Sequence, residues 1–278
     1  MTVRIVTDSA CDLTEAETTA LGIEVVPLTI RFGEREYIDR QELSVEGFYR
    51  ELATSSTLPE TAAPAPGAFA AAYGKLRDEG ATDVVCINLS SGLSATMQSA
   101  RTAADAQQGV RVHVLDSRSI TAGLGSQVLA AARLAADGAD ATTVCDHVRD
   151  LISRQRVFGT LDTLENLKKG GRIGGAQALL GGMLSIKPLL DLSSGEVAEA
   201  GKVRTRRKAL LWLRDRLVQD QPVENLNIIH GQAPDLDEFV DLLREVVDVE
   251  TARIGMIGAV IGTHGGPRVM GVAYHVPR

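Results

Sequence analysis

Hydrophobic and polar positions follow two rhythms along this chain. In the first half, short apolar runs alternate with helical stretches. Asp83–Leu89 is a continuous apolar run, the pattern of a strand buried on both faces of a parallel sheet. Val3–Thr7 and Val110–Leu115 are also predicted strands. Thr14 and Glu17 are spaced as a capping box for a short helix that stops at Gly22. Further helices are predicted after a Ser44 cap, around Phe69, Tyr73 and Leu76, up to about Gln107, over Thr121–Gly138, and from about Thr143 to Arg154. Ile23–Phe32 reads as extended, with Pro27 marking an edge, and Arg35–Ile38 returns as a hairpin. Thr54–Gly67 reads as a loop. This alternation predicts a parallel, doubly wound sheet.

The rhythm changes near Ser153–Val157. Leu189–Leu192 and Val197–Val203 flank Ser193-Ser194-Gly195 as an antiparallel hairpin. A helix follows with Leu210, Leu213 and Leu217 inward, then a strand at Leu226–Ile229 and a helix opened by Pro234. Val249–Ile257 and Val269–Val276 read as strands around the glycine-rich segment Gly258–Pro267, read as a loop. Hairpins mixed with helices predict an α+β unit with a mixed sheet. The expected domains are residues 1–154 and 155–278.

Composition narrows the function classes. The 278 residues are 44% hydrophobic and 23% charged, ordinary for a soluble globular protein. A net charge of −7 disfavours nucleic acid or an anionic membrane as a standing partner. No apolar run approaches the roughly 20 residues that span a bilayer. The start, MTVRIVTDSACD, reads as a strand and a turn, without a signal-peptide core. Cys11, Cys86 and Cys145 are odd in number and scattered, as expected of reduced thiols. The expected location is the cytoplasm.

The candidate chemistry centres on Thr160–Pro188. Leu161, Leu164 and Leu167 share a helix face, and Gly170 is placed to stop that helix in the left-handed region. Gly171 then allows a tight turn before Arg172. A guanidinium presented after two glycines suits planar recognition of a carboxylate or phosphate. An ordinary helix cap beside a surface arginine fits the local sequence as well. Ser94 follows a strand and can either cap the next helix or hold an anion with the backbone N–H groups there. His264, between Thr263 and two glycines, can donate to an anion, act as a base, or be a plain loop histidine. Asp8, Asp12 and Asp116 lie near strand ends, where turn and capping roles outweigh Mg²⁺ binding. No histidine has metal-ligand spacing, so no metal is expected. Neither a dinucleotide fingerprint nor a P-loop is present. Gly92-Leu93-Ser94-Ala95-Thr96 approximates a nucleophile elbow, and Ser94, Asp116 and His264 follow α/β-hydrolase order. A serine-dependent acyl hydrolase is therefore the alternative reading.

Seven stretches together resemble the DegV family of bacterial proteins: IVTDSACDL (5–13), LSSGLSATMQSA (89–100), VLDSRSITAGLG (114–125), TLENLKKGGRIGG (163–175), LLGGMLSIKPLL (179–190), KVRTRRKAL (202–210) and GAVIGTHGGP (258–267). The resemblance implies a Rossmann-like α/β/α domain joined to a mixed-sheet domain, with ligand at their interface. It implies a fatty-acid carrier with no cofactor and no turnover of its own. Such a carrier presents the carboxylate to a separate ATP-dependent fatty acid kinase, which makes acyl-phosphate for phospholipid synthesis. On matching positions, Thr61, Ser94, the Ala95 N–H, Arg172 and His264 would hold the carboxylate. Arg204 would dock the kinase. Leu179, Leu180, Met183, Leu184 and Ile186 are expected to line the acyl tunnel. The sequence departs from the family's usual residues at Ala62, Ala63, Ala95 and Met97.

Overall fold

The computed structural model describes residues 2–181 and 186–278, with the side chains of 180 and 181 outside the described set. In the first half, β1 (Val3–Asp8) leads to α1 (Glu15–Ala20), then β2 (Glu24–Val26), β3 (Thr29–Phe32) and β4 (Arg35–Ile38). Next come α2 (Val45–Thr54), β5 (Glu60–Ala62), α3 (Pro66–Asp78), β6 (Asp83–Asn88), α4 (Thr96–Ala106), β7 (Arg111–Asp116), α5 (Thr121–Ala136) and α6 (Ala141–Arg154). The second half runs β8 (Gln155–Thr160), α7 (Glu165–Lys169), a 3-10 segment (Gly174–Gly181), β9 (Lys187–Asp191), β10 (Ala198–Val203) and α8 (Arg206–Gln219). It closes with β11 (Glu224–His230), α9 (Leu236–Arg244), β12 (Arg253–Met256), α10 (Ala259–Gly265) and β13 (Met270–His275).

Strands β2, β1, β6 and β7 form a parallel sheet in that order. Every residue of β6 is buried, as its unbroken apolar run requires. A separate mixed sheet has the order β10-β9-β8-β13-β11-β12, with only β11 and β12 parallel. A small antiparallel sheet, β4-β3-β5, sits beside them. The predicted extended stretch Ile23–Phe32 thus splits at Pro27-Leu28 between two sheets. Within the segment read as loop, β5 pairs its three residues with β3.

The layers follow from the apolar faces. Phe69, Tyr73 and Leu76 of α3 pack with Ala100 and Ala103 of α4 on one face of the parallel sheet. Leu210, Leu213 and Phe239 of α8 and α9 cover the outer face of the mixed sheet. One continuous core lies between the sheets, and α5 is embedded in it. This explains why α5 is rich in small residues. A Cβ on Gly125 would lie 2.6 Å from the Cys11 carbonyl oxygen, and one on Gly123 would lie 3.2 Å from a Val157 methyl.

Two buried carboxylates matter for stability. Asp8 accepts from Leu89 N at 2.8 Å and Ala10 N at 3.1 Å, yet burial pushes its carboxyl up to about 6. Asp39 is buried, and although Ser9 and the Arg40 backbone lie near its carboxylate, burial likewise pushes it up to about 6. A carboxyl whose pKa rises on folding stabilises the fold fully only below the ordinary carboxylate range. That contribution is lost as pH climbs through about 6. Asp39→Asn is therefore expected to raise stability at neutral pH, by about 1–3 kcal/mol, and to change it little near pH 4. Urea unfolding at the two pH values checks this; an equal effect at both contradicts it.

Candidate functional site

A narrow apolar slot runs between the two sheets. Its floor is the inner face of the mixed sheet, with Val157, Gly159, Leu190 and Ile229. Leu89, Leu93 and Ile120 approach from the parallel half, and Val260 and Ile261 come from α10. About 860 Å³ of empty space lies between and in front of these walls, but only about 90 Å³ of it admits the centre of a water-sized sphere. The space is therefore slender, one hydrocarbon chain across rather than a chamber. Among the described residues, the polar side chains in its wall are Thr61, Ser94, Thr121, Arg172 and His264.

Thr61, Arg172 and His264 also line a second, polar cleft with about 1270 Å³ of empty space, together with residues 55–60, Asn166 and Lys169. They stand where apolar slot meets polar cleft. A molecule with a long apolar tail and a polar head would leave its head at that boundary.

Each of the three is positioned by a local feature of the chain. In β5, Thr61 faces the slot while its neighbour Ala62 is exposed, because alternate strand residues face opposite ways. Ala62, where the sequence departs from the family resemblance, therefore lies off the slot. Arg172 follows Gly171, which has φ +69°. The predicted left-handed glycine is thus Gly171; Gly170 is right-handed at φ −74°. Gly170 is needed for a different reason: a Cβ there would lie 2.4 Å from His264 Nδ1. His264 sits on α10, not in the loop expected from its glycines. Those glycines serve packing. A Cβ on Gly262 would meet Phe48 at 2.7 Å, and Gly258 N donates to Asp12 Oδ1 at 3.0 Å where the helix begins. Buried Asn166 ties α7 to α10 by donating from Nδ2 to Thr263 O at 3.0 Å.

The electrostatics are asymmetric. Arg172 donates from Nε to Leu93 O at 3.2 Å and from Nη1 to Gly170 O at 2.7 Å. Among the described residues, none of its hydrogen-bond partners is a carboxylate. These bonds occupy two of its five N–H groups, leaving three for a ligand. Burial and, secondarily, the nearby Arg172 charge push His264 down to about 4, so its ring is neutral near neutral pH. His264 Nε2 and Thr61 Oγ1 are 2.9 Å apart. Among the described residues Nδ1 has no partner, which favours placing the ring proton on Nε2, where it has an acceptor. Thr61 Oγ1 then accepts from the histidine, and its own O–H is free for a ligand. The site thus offers the Arg172 cation, with the other cleft cation, Lys169, paired to Glu165, and hydroxyls at Thr61 and Ser94, an arrangement suited to a monoanionic head.

The remaining sequence-predicted residues divide. Ser94 lines the slot, with Oγ 2.8 Å from Thr96 Oγ1 and accepting from Thr96 N at 3.3 Å. Ala95 is exposed and lies off the slot lining. Leu179 is buried in the shared core and Ile186 packs against it, but neither lines the slot. Met183, Leu184 and the Leu180 side chain lie outside the described residues. Arg204 is exposed between β10 and α8. Thr121 was not anticipated. It is buried in the slot wall with φ +45°, an unusual conformation for a β-branched residue.

The hydrolase arrangement is not assembled. Asp116 accepts from Arg118 N at 2.9 Å and from the Ser91 hydroxyl, and His264 Nε2 is engaged with Thr61. No hydrogen bond links Ser94, His264 and Asp116 into a relay. The approximate elbow and the chain order suggest the triad, but they do not bring a base to the serine. Among the described residues, no three His, Cys, Asp or Glu side chains are grouped to hold a metal. No described helix is long and apolar enough to cross a membrane.

Known proteins share this pairing of sheets. The family model for DegV, described as an uncharacterised protein family, matches residues 2–276, and the chain belongs to the DegV family. A DegV domain-containing protein of Deinococcus radiodurans is 37% identical over 281 residues, covering 98% of each chain. The structure of a Thermus thermophilus DegV family protein, described as fatty-acid binding, matches with TM-score 0.91 and 33% identity over 100% of both chains. DegV of Bacillus subtilis, also described as a fatty acid binding protein, matches with TM-score 0.88 and 28% identity over the whole of both chains.

Proposed function

We propose that this protein binds a long-chain fatty acid in the slot and presents its carboxylate to a separate ATP-dependent fatty acid kinase. The observation that carries the reading is Arg172: a cation without a carboxylate partner among the described residues, at the mouth of an apolar slot. Each methylene moved from water into the slot contributes roughly 0.8 kcal/mol. A carboxylate brought to that boundary must be hydrogen-bonded or paired, or it protonates. Arg172, the Thr61 hydroxyl and Ser94 supply those partners, and neutral His264 orients Thr61 without adding a second positive charge. Fatty-acid binding by relatives supports the same assignment. In this reading residues 1–154 and 155–278 are two domains with the ligand between them, and the protein works in the cytoplasm as a carrier without turnover of its own.

The polar cleft leaves the head group approachable from outside, as transfer of a phosphoryl group to it demands. Arg204 is assigned to kinase docking, where an exposed cation steers an acidic partner surface. Arg204→Ala is expected to leave fatty-acid affinity unchanged and slow acyl-phosphate formation about tenfold with purified kinase. An unchanged rate removes that role. Equal acyl-phosphate formation by the kinase without this protein would overturn the presentation step itself.

A further inference from the structure

Gly159 is a glycine that the fold does not explain. It lies in β8, an interior strand flanked by β9 and β13. Glycine weakens a strand interior relative to alanine, so its presence needs a cause. Conformation is not the cause, since its φ lies outside the left-handed region. Crowding is not the cause either. Among the described residues, a Cβ built there meets a single atom within 4 Å, the Met270 carbonyl oxygen at an ordinary 3.6 Å. Its register partner Gly271 differs: a Cβ there would lie 2.7 Å from Phe158 O and 3.3 Å from Ile229, so the backbone itself requires that glycine.

The missing Gly159 side chain would point into the slot. Val157 and Leu161, two residues away on either side, line it, as the two-residue strand period demands. Phe158 between them packs on the opposite face against Trp212, with ring centroids 5.6 Å apart. Two facing glycines thus leave a bare trough in the slot floor, walled by larger apolar residues such as Leu190 and Ile229.

We propose that Gly159 sets the shape and length of the acyl chain this protein accepts, by leaving open the volume through which the chain passes. This rests on the fatty-acid reading above. A branched residue at 159 fits the backbone and occupies the trough, so long chains are shut out while the fold stands.

The test compares wild type with Gly159→Ala, Gly159→Val and, as a control, Gly271→Ala. Each is titrated with saturated fatty acids of graded length, with thermal unfolding measured in parallel. Gly159→Val is expected to lose about tenfold in affinity for the longest chains, the equivalent of about two buried methylenes, and to shift preference toward shorter ones. Its ligand-free melting temperature should match or exceed that of wild type, with Gly159→Ala intermediate in affinity. Gly271→Ala should lower the melting temperature. A Gly159→Val protein with unchanged length preference overturns the inference, as does one that unfolds as readily as Gly271→Ala. A wild type that binds no chain of any length overturns instead the reading on which it rests.

Discussion

Arg172→Ala is expected to weaken fatty-acid binding about one hundredfold while leaving the fold intact. The side chain's hydrogen bonds run to two carbonyls, Leu93 O and Gly170 O, so no carboxylate is left unpaired by its removal. The loss falls on the ligand. A carboxylate at the slot mouth would keep hydroxyl partners but lose its cation, and truncating one member of a desolvated charge pair costs about 2–5 kcal/mol. Arg172→Lys should recover part of the loss, since it restores the charge without the planar fork. Calorimetric titration checks both, with the methyl ester of the same acid as reference. The ester carries no charge, so its binding should barely distinguish wild type from Arg172→Ala. If acid binding is unchanged in the alanine variant, the site is misassigned.

Asp12→Ala is expected to destabilise the protein by about 3–5 kcal/mol. Asp12 is buried and accepts from Arg40 Nη2 at 2.8 Å and from Gly258 N at 3.0 Å. It joins the loop after β1 to the start of α10, the helix that carries His264. Removing it strands a largely buried guanidinium and a buried N–H at once. Asp12→Asn keeps an acceptor for Gly258 and should lose less. Urea unfolding of the three proteins measures the difference; a cost under about 1 kcal/mol for the alanine variant would mean that Arg40 finds another partner.

Much of this architecture was legible in the amino-acid order, because the relevant signals are local. The Thr14–Glu17 capping box forms as spaced, with both reciprocal bonds present. The apolar run at Asp83–Leu89 gives a strand buried at every position. What escaped were elements whose residues answer to distant partners. The segment Gly258–Gly265 looks like a loop by composition, but its glycines accommodate Phe48 and the Asp12 bond and so permit α10. Three residues at Glu60–Ala62 become a strand only because β3 offers an edge.

The candidate site divides in the same way. Arg172, Ser94 and His264 stand out from their local sequence and Thr61 through the family resemblance, and all four line the slot. Of the expected tunnel residues in 179–186, Leu180, Met183 and Leu184 have side chains outside the described residues, so only Leu179 and Ile186 are placed, both in or against the core beside the slot. Among the described residues, the slot's lining is drawn from positions as far apart as Leu28 and Gly271. Gly159 carried no signal, since a lone glycine in a strand gains meaning only from the space beside it. That none of Arg172's hydrogen-bond partners among the described residues is a carboxylate is likewise a property of three-dimensional neighbours.

The central claim, that the slot holds a fatty acid by its carboxylate, is tested most directly by native mass spectrometry of the purified full-length protein. The spectrum should show one fatty acid per chain, released on denaturation and identifiable after organic extraction. Protein stripped of lipid should take up one equivalent again. A chain that is empty as purified, and that remains empty after incubation with fatty acids across a range of lengths, would contradict the account.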